Sequence, residues 1–86
     1  MPQWFIWTVL AQSQLRAIDR VTAKRILDAV DRLRFGQGDI KPMVGYDPPT
    51  KRLRIGDYRV VYRELDQNRF NILRVGLRAG VYKSKS

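Results

Sequence analysis

The sequence predicts an α+β fold of order β-α-α-β-β-β, a mostly antiparallel sheet with a helical hairpin on one face. Three observations predict it. Residues 4–9 are aromatic and β-branched, residues 11–33 carry apolar side chains at helical spacing, and residues 51–63 and 70–77 alternate at period two. Alternation marks half-buried strands, whereas apolar positions at i, i+3, i+4 and i+7 mark one face of a helix.

Trp4-Phe5-Ile6-Trp7-Thr8-Val9 is apolar on both parities and reads as a first strand with both faces partly covered. Ala11, Leu15 and Ile18 then mark a short helix from about Val9 to Ala17, with Thr8 as its N-cap. Asp19 is expected to cap a longer helix, from about Arg20 to Arg34. The apolar stripe of that helix is Ala23, Ile26, Leu27, Val30 and Leu33, and Lys24 and Asp28 form an i,i+4 pair on its solvent side. Gly36 and Gly38 end it. Residues 36–50 hold three glycines and three prolines and are expected to form a loop without regular structure, with Tyr46 packing within it in preference to lying at the rim of a site.

Residues 51–63 follow as two strands around Gly56-Asp57, a two-residue hairpin signal. Leu53 and Ile55 share one face of the first strand, and Arg52 and Arg54 the other. Arg59, Val61 and Arg63 share a face of the second. A turn at residues 65–69 leads to the last strand, Phe70 to Leu77. Strict alternation puts Leu73, Val75 and Leu77 on one side of it and Ile72, Arg74, Gly76 and Arg78 on the other. Val81-Tyr82-Lys83 closes the chain as a short extended tail.

With 86 residues the chain is expected to be one domain, 1–86. A chain of this length buries roughly 60–65% of its unfolded surface, so its core is small. The run from Trp4 to Leu10 is too short to span a bilayer and lacks the basic flank of a secretory signal, which points to the cytoplasm. Cysteine is absent, in keeping with a reducing compartment.

Charge is the informative quantity. The 17 Lys and Arg outnumber the 8 Asp and Glu, for a net charge of +9. Residues 51–86 hold 10 basic and 3 acidic side chains, so the hairpin half carries most of the excess. An Arg-rich strand face of this kind fits a polyanionic partner, nucleic acid above all. Without His or Cys there is no Ser-His or Cys-His nucleophile and no transition-metal site, and no Gly-rich phosphate loop precedes a helix. No cofactor is therefore expected. What remains is Arg52, Arg54, Arg59, Arg78 and Tyr82. Arginine makes bidentate phosphate contacts and stabilises charge that develops on a phosphoryl centre; tyrosine stacks on a base or donates to a phosphate. Arg59 and Arg78 are expected to be exposed. Lys51, Arg63, Arg74 and Lys83 are expected to contact RNA around them.

These residues carry a resemblance. Arg52-Leu53-Arg54-Ile55-Gly56-Asp57-Tyr58-Arg59-Val60-Val61-Tyr62 resembles the signature hairpin of the RelE/ParE toxin superfamily. Val75-Gly76-Leu77-Arg78, followed by Val81-Tyr82, is similar to its C-terminal motif, and residues 11–27 are similar to its helical hairpin. The RelE branch implies a toxin of a type II toxin–antitoxin system, an endoribonuclease that cuts messenger RNA in the ribosomal A site to stop translation. It also implies three partners: the ribosome, mRNA, and a cognate antitoxin that forms a hetero-oligomer with the toxin and blocks its site. The resemblance implies roles too. Arg54 lies near the attacking 2′-OH, Arg52 and Arg59 hold the scissile phosphate, Arg78 faces the 5′ leaving oxygen, and Tyr82 orients or stacks the nucleotide. Members often carry Lys on the first hairpin strand, where this chain has Arg. Arg does not give up its proton, so the chemistry implied rests on electrostatics and positioning. Two other readings use the same residues. One is a ParE-like toxin that inhibits DNA gyrase by binding and cuts nothing; the other is a plain nucleic-acid-binding module.

Overall fold

In the computed structural model of the chain, residues 4–66 and 69–77 are described. Strand β1 (Phe5–Trp7) is followed by helices α1 (Val9–Arg16) and α2 (Arg20–Asp31), the latter continuing as a 3-10 turn over Arg32–Phe35. Strands β2 (Asp39–Met43), β3 (Thr50–Ile55), β4 (Tyr58–Asp66) and β5 (Arg69–Leu77) complete the element order. All five strands form one sheet in the order β1-β5-β4-β3-β2. Only β1 runs parallel to its neighbour, with Phe5 opposite Phe70; the other pairings are antiparallel.

Both helix starts are capped as the sequence predicts. Thr8 Oγ1 accepts from Ala11 N at 3.0 Å, and Asp19 Oδ2 accepts from Thr22 N at 3.0 Å. That contact also lowers the Asp19 carboxyl below its ordinary pKa, because the backbone N–H and the helix end favour the charged form. Gly36, in the left-handed region at φ 71°, ends the 3-10 turn.

The helical hairpin covers one face of the sheet. Ala11, Ile26, Val30 and Leu33 from the helical layer meet Leu53, Val60, Tyr62, Phe70, Ile72 and Val75 from the sheet. The Phe5 and Phe70 rings stack at 5.3 Å. Each fully buried aliphatic side chain here contributes about 1.5–3 kcal/mol relative to exposure.

Three expectations need correction. First, residues 36–50 are not all loop, because Asp39–Met43 forms the edge strand β2. Pro42 sits in it, paired with Lys51, and an edge strand tolerates a residue without an N–H. Gly38 and Gly45, both at positive φ, bracket the strand rather than exclude it.

Second, the faces of β5 do not alternate strictly. The ladder to β4 shifts register between Val61 and Tyr62, so that Val61 pairs with Arg74 but Tyr62 with Ile72. Leu73 is the extra residue of a bulge. Ile72 and Val75 therefore both point into the core, at 0% and 1% exposure. Leu73 joins Arg74 on the opposite side.

Third, Leu27 is 44% exposed rather than part of the core stripe, and Ala29 packs against the core instead. The sheet ends at the three-residue β1, which does not extend far enough to cover it.

Candidate functional site

The face of the sheet away from the helices gathers arginines in rows set by strand register. Arg54 on β3 stands directly opposite Arg59 on β4, and Arg59 stands opposite Gly76 on β5. The next row runs Arg52, Val61, Arg74. A third begins where the Arg63 Nε donates to Thr50 Oγ1 at 3.3 Å. The rows are two residues apart, about 7 Å along the strands.

The environments differ. Arg54 is exposed, its Nε donating to Gly56 O at 3.3 Å. Gly56 needs its positive φ of 60° to close the two-residue turn that sets this register. Arg52, Arg63 and Arg74 are half-buried. Nη1 of Arg52 is buried without a hydrogen bond to any described residue. Arg59 is buried, at 3% exposure, and not exposed as the sequence predicts. It stands on β4, the central strand of five, between Arg54 and Gly76.

Like charges directly opposite on neighbouring strands destabilise the pair. Arg52, Arg54, Arg63 and Arg74 enter no ion pair with a described residue. Asp28, Asp31 and Asp66 are engaged with Lys24, Arg34 and Arg69, away from this face, whereas Asp39 on the edge strand β2 stands opposite Arg54 and ends its row. A face built this way favours an anion laid across it.

Not every expected residue joins. Lys51 lies on the other face, opposite Tyr62, and its Nζ pairs with Glu64 Oε2 at 3.0 Å. Arg78, Tyr82 and Lys83 lie outside the described residues. Tyr62, buried in the core, is no acid–base group at ordinary pH: burial first, and Glu64 second, push it up to about 12.

Beside the arginine rows runs a groove of about 390 Å³ that sequence reasoning missed. Val61 and Leu73 line it together with Met43, Tyr46, Arg63 and Arg74. Tyr46 is 50% exposed and lines this groove, nearer the rim position that the sequence also allowed than the packing role it favoured. Leu73 reaches it only through the bulge. A second groove, of about 640 Å³, follows the β1 edge against the helices, lined by Ile6, Trp7, Leu15 and Leu27 with Arg16 and Arg69.

Comparison with known proteins adds to this geometry. The sequence matches the family profile of the ParE toxin of type II toxin–antitoxin systems, parDE, over residues 5–82. No curated protein sequence matches it. Among solved structures it is similar to a chain of the RelB–RelE antitoxin–toxin complex from Methanococcus jannaschii, with a TM-score of 0.74 at 21% identity, covering 94% of this chain and 99% of that one. It is also similar to a chain of the RelBE2 toxin–antitoxin complex from Mycobacterium tuberculosis, with a TM-score of 0.72 at 26% identity, covering 91% of this chain and 100% of that one. The first likeness is one of fold.

Proposed function

The chain belongs to the ParE toxin family of type II toxin–antitoxin systems, and from its arginine face we propose that it acts as an endoribonuclease on messenger RNA in the ribosomal A site. The observation that carries this reading is the register-locked row of Arg54 and Arg59 beside the row of Arg52 and Arg74. Four guanidinium groups on one face suit the backbone of a single strand. In the reaction the 2′-oxygen attacks the adjacent phosphorus, the bond to the 5′-oxygen breaks, and the proton of the 2′-OH passes to water as the leaving oxygen takes one up. Arg52 would hold the non-bridging oxygens and Arg54 the attacking side, Arg59, only 3% exposed, would add its charge from beneath them, and Arg78 and Tyr82 would complete the site. Arginine accepts no proton, Glu64 is paired with Lys51 on the other face, and the carboxylate of the row itself, Asp39, stands on the edge strand beyond Arg54, two strands from Arg59. The site would therefore work by charge stabilisation and alignment, and a ribosome that bends the message into line supplies the alignment.

A second reading, inhibition of DNA gyrase without cleavage, is favoured by the family profile, which is that of ParE. Induction of the toxin in cells separates the two. New mRNA 5′ ends phased to codons support the ribonuclease; intact mRNA with DNA breaks trapped on gyrase supports the other.

The partner reading is an antitoxin whose amphipathic segment lies in the groove along β1 and whose acidic residues meet the arginine face. Both similar solved structures are antitoxin–toxin complexes. Co-expression with the adjacent small open reading frame should restore growth and yield a complex that co-purifies.

A further inference from the structure

The groove beside the arginine rows differs in chemistry from the rows themselves. Its floor is apolar: Val61 is only 5% exposed, and Leu73 and Met43 are half-buried. Tyr46 offers a half-exposed ring above that floor. The volume, about 390 Å³, falls within the ~300–1,000 Å³ typical of small-molecule pockets. Val61 lies in register between Arg52 and Arg74, so the groove opens directly from the second arginine row. A strand whose phosphates lie on the rows brings its next base to this opening.

The polar groups of the groove are unequal. Thr8 Oγ1 donates to Leu73 O at 2.8 Å and accepts from Ala11 N. Thr50 Oγ1 donates to Pro48 O at 3.1 Å and accepts from Arg63 Nε. Both hydroxyl protons are thus spent inside the protein. Arg63 is oriented by Thr50, and Arg74 sits one row away. Among the described residues no carboxylate or amide side chain lines the groove. It presents two guanidinium donors, an aromatic face and apolar walls.

We propose that this groove is a nucleobase subsite that accepts a base with adjacent acceptors on one edge, guanine in preference to adenine. The proposal rests on the RNA reading of the arginine face. Guanine offers O6 and N7 side by side to a guanidinium, whereas adenine replaces one acceptor with an amino donor that faces the donors of Arg63 and Arg74. Tyr46 supplies the stacking surface.

Fluorescence anisotropy tests it, with U-rich pentaribonucleotides that differ in one central base and are 2′-O-methylated against cleavage, at about 50 mM salt. The guanine RNA should bind about tenfold tighter than the adenine RNA. Tyr46→Ala should weaken both, and Arg74→Gln or Arg63→Gln should bring the two within about twofold. Arg54→Ala should weaken every RNA alike and leave the ratio intact. Equal binding of all four RNAs, still weakened by Arg54→Ala, overturns the subsite and leaves the RNA reading standing. No measurable binding of any RNA overturns both. A ratio that survives Arg63→Gln and Arg74→Gln, with Tyr46→Ala weakening only a co-expressed antitoxin complex, gives the groove to the protein partner and also overturns it.

Discussion

Arg54 and Arg59 stand directly opposite each other across the β3–β4 ladder, one exposed and one 3% exposed. Their unequal burial separates charge from packing. Arg54→Ala should leave stability within about 0.5 kcal/mol, as surface changes usually do. Arg59→Ala removes a buried stem as well as a charge and should cost about 1–3 kcal/mol. Arg59→Met keeps most of the stem and should recover most of that loss while still abolishing toxicity. Urea unfolding of the three variants beside a growth assay checks this; a toxic Arg59→Met would remove Arg59 from the site.

Salt dependence follows from the same rows. For a single strand, each phosphate contact contributes about −0.7 to the slope of log K against log salt. Arg52→Ala and Arg54→Ala should each flatten the slope of RNA binding by about that amount. Lys51→Ala should leave it unchanged, since Lys51 pairs with Glu64 on the far face. A slope that falls equally for all three would mean that diffuse charge, not the arginine rows, receives the RNA.

The free edge of β5 is a third test. Beyond Trp7, β1 no longer pairs with it, and side chains take over: Thr8 Oγ1 donates to Leu73 O, and Val75 N donates to Gln14 Oε1 at 2.7 Å. Gln14→Leu would leave a buried N–H without its acceptor, at a cost of about 1–3 kcal/mol. Thermal or urea unfolding measures it. Because this edge holds the bulge that turns Leu73 and Arg74 outward, RNA binding should weaken as well.

Tyr62 sets an alkaline limit. Its folded pKa is raised from 10.0 to about 12, chiefly by burial. A pKa raised on folding gives stability that is full below the unfolded value and declines as pH climbs toward the folded one. Stability should therefore fall between about pH 10 and 12, and Tyr62→Phe should remove that part of the slope. Unfolding midpoints across this range test it.

Much of the fold was legible because local signals agreed with the tertiary outcome. Thr8 and Asp19 cap the helices as their positions suggest, and Gly56-Asp57 closes the hairpin that puts Arg52, Arg54 and Arg59 on one side. What escaped depended on distant partners. β2 is a strand because β3 offers it an edge, with Pro42 placed where no donor is needed. The burial of Arg59, on the central strand β4, is a tertiary outcome that no local pattern reveals. The β5 bulge left a trace: apolar residues switch parity between Ile72 and Val75, with Leu73 between them. Read as a phase change, that run would have moved Leu73 to the open face and exposed the groove beside Tyr46.

The most direct measurement is primer extension on a reporter mRNA in a translating extract, with wild-type toxin against Arg54→Ala of unchanged stability. An A-site ribonuclease built on the arginine rows gives codon-phased 5′ ends with the wild type and a rate lower by about 10²-fold with the variant, the loss expected when one positioned charge leaves a phosphoryl transition state. Phased cuts at equal rates from both proteins, or an intact message with both, would contradict it.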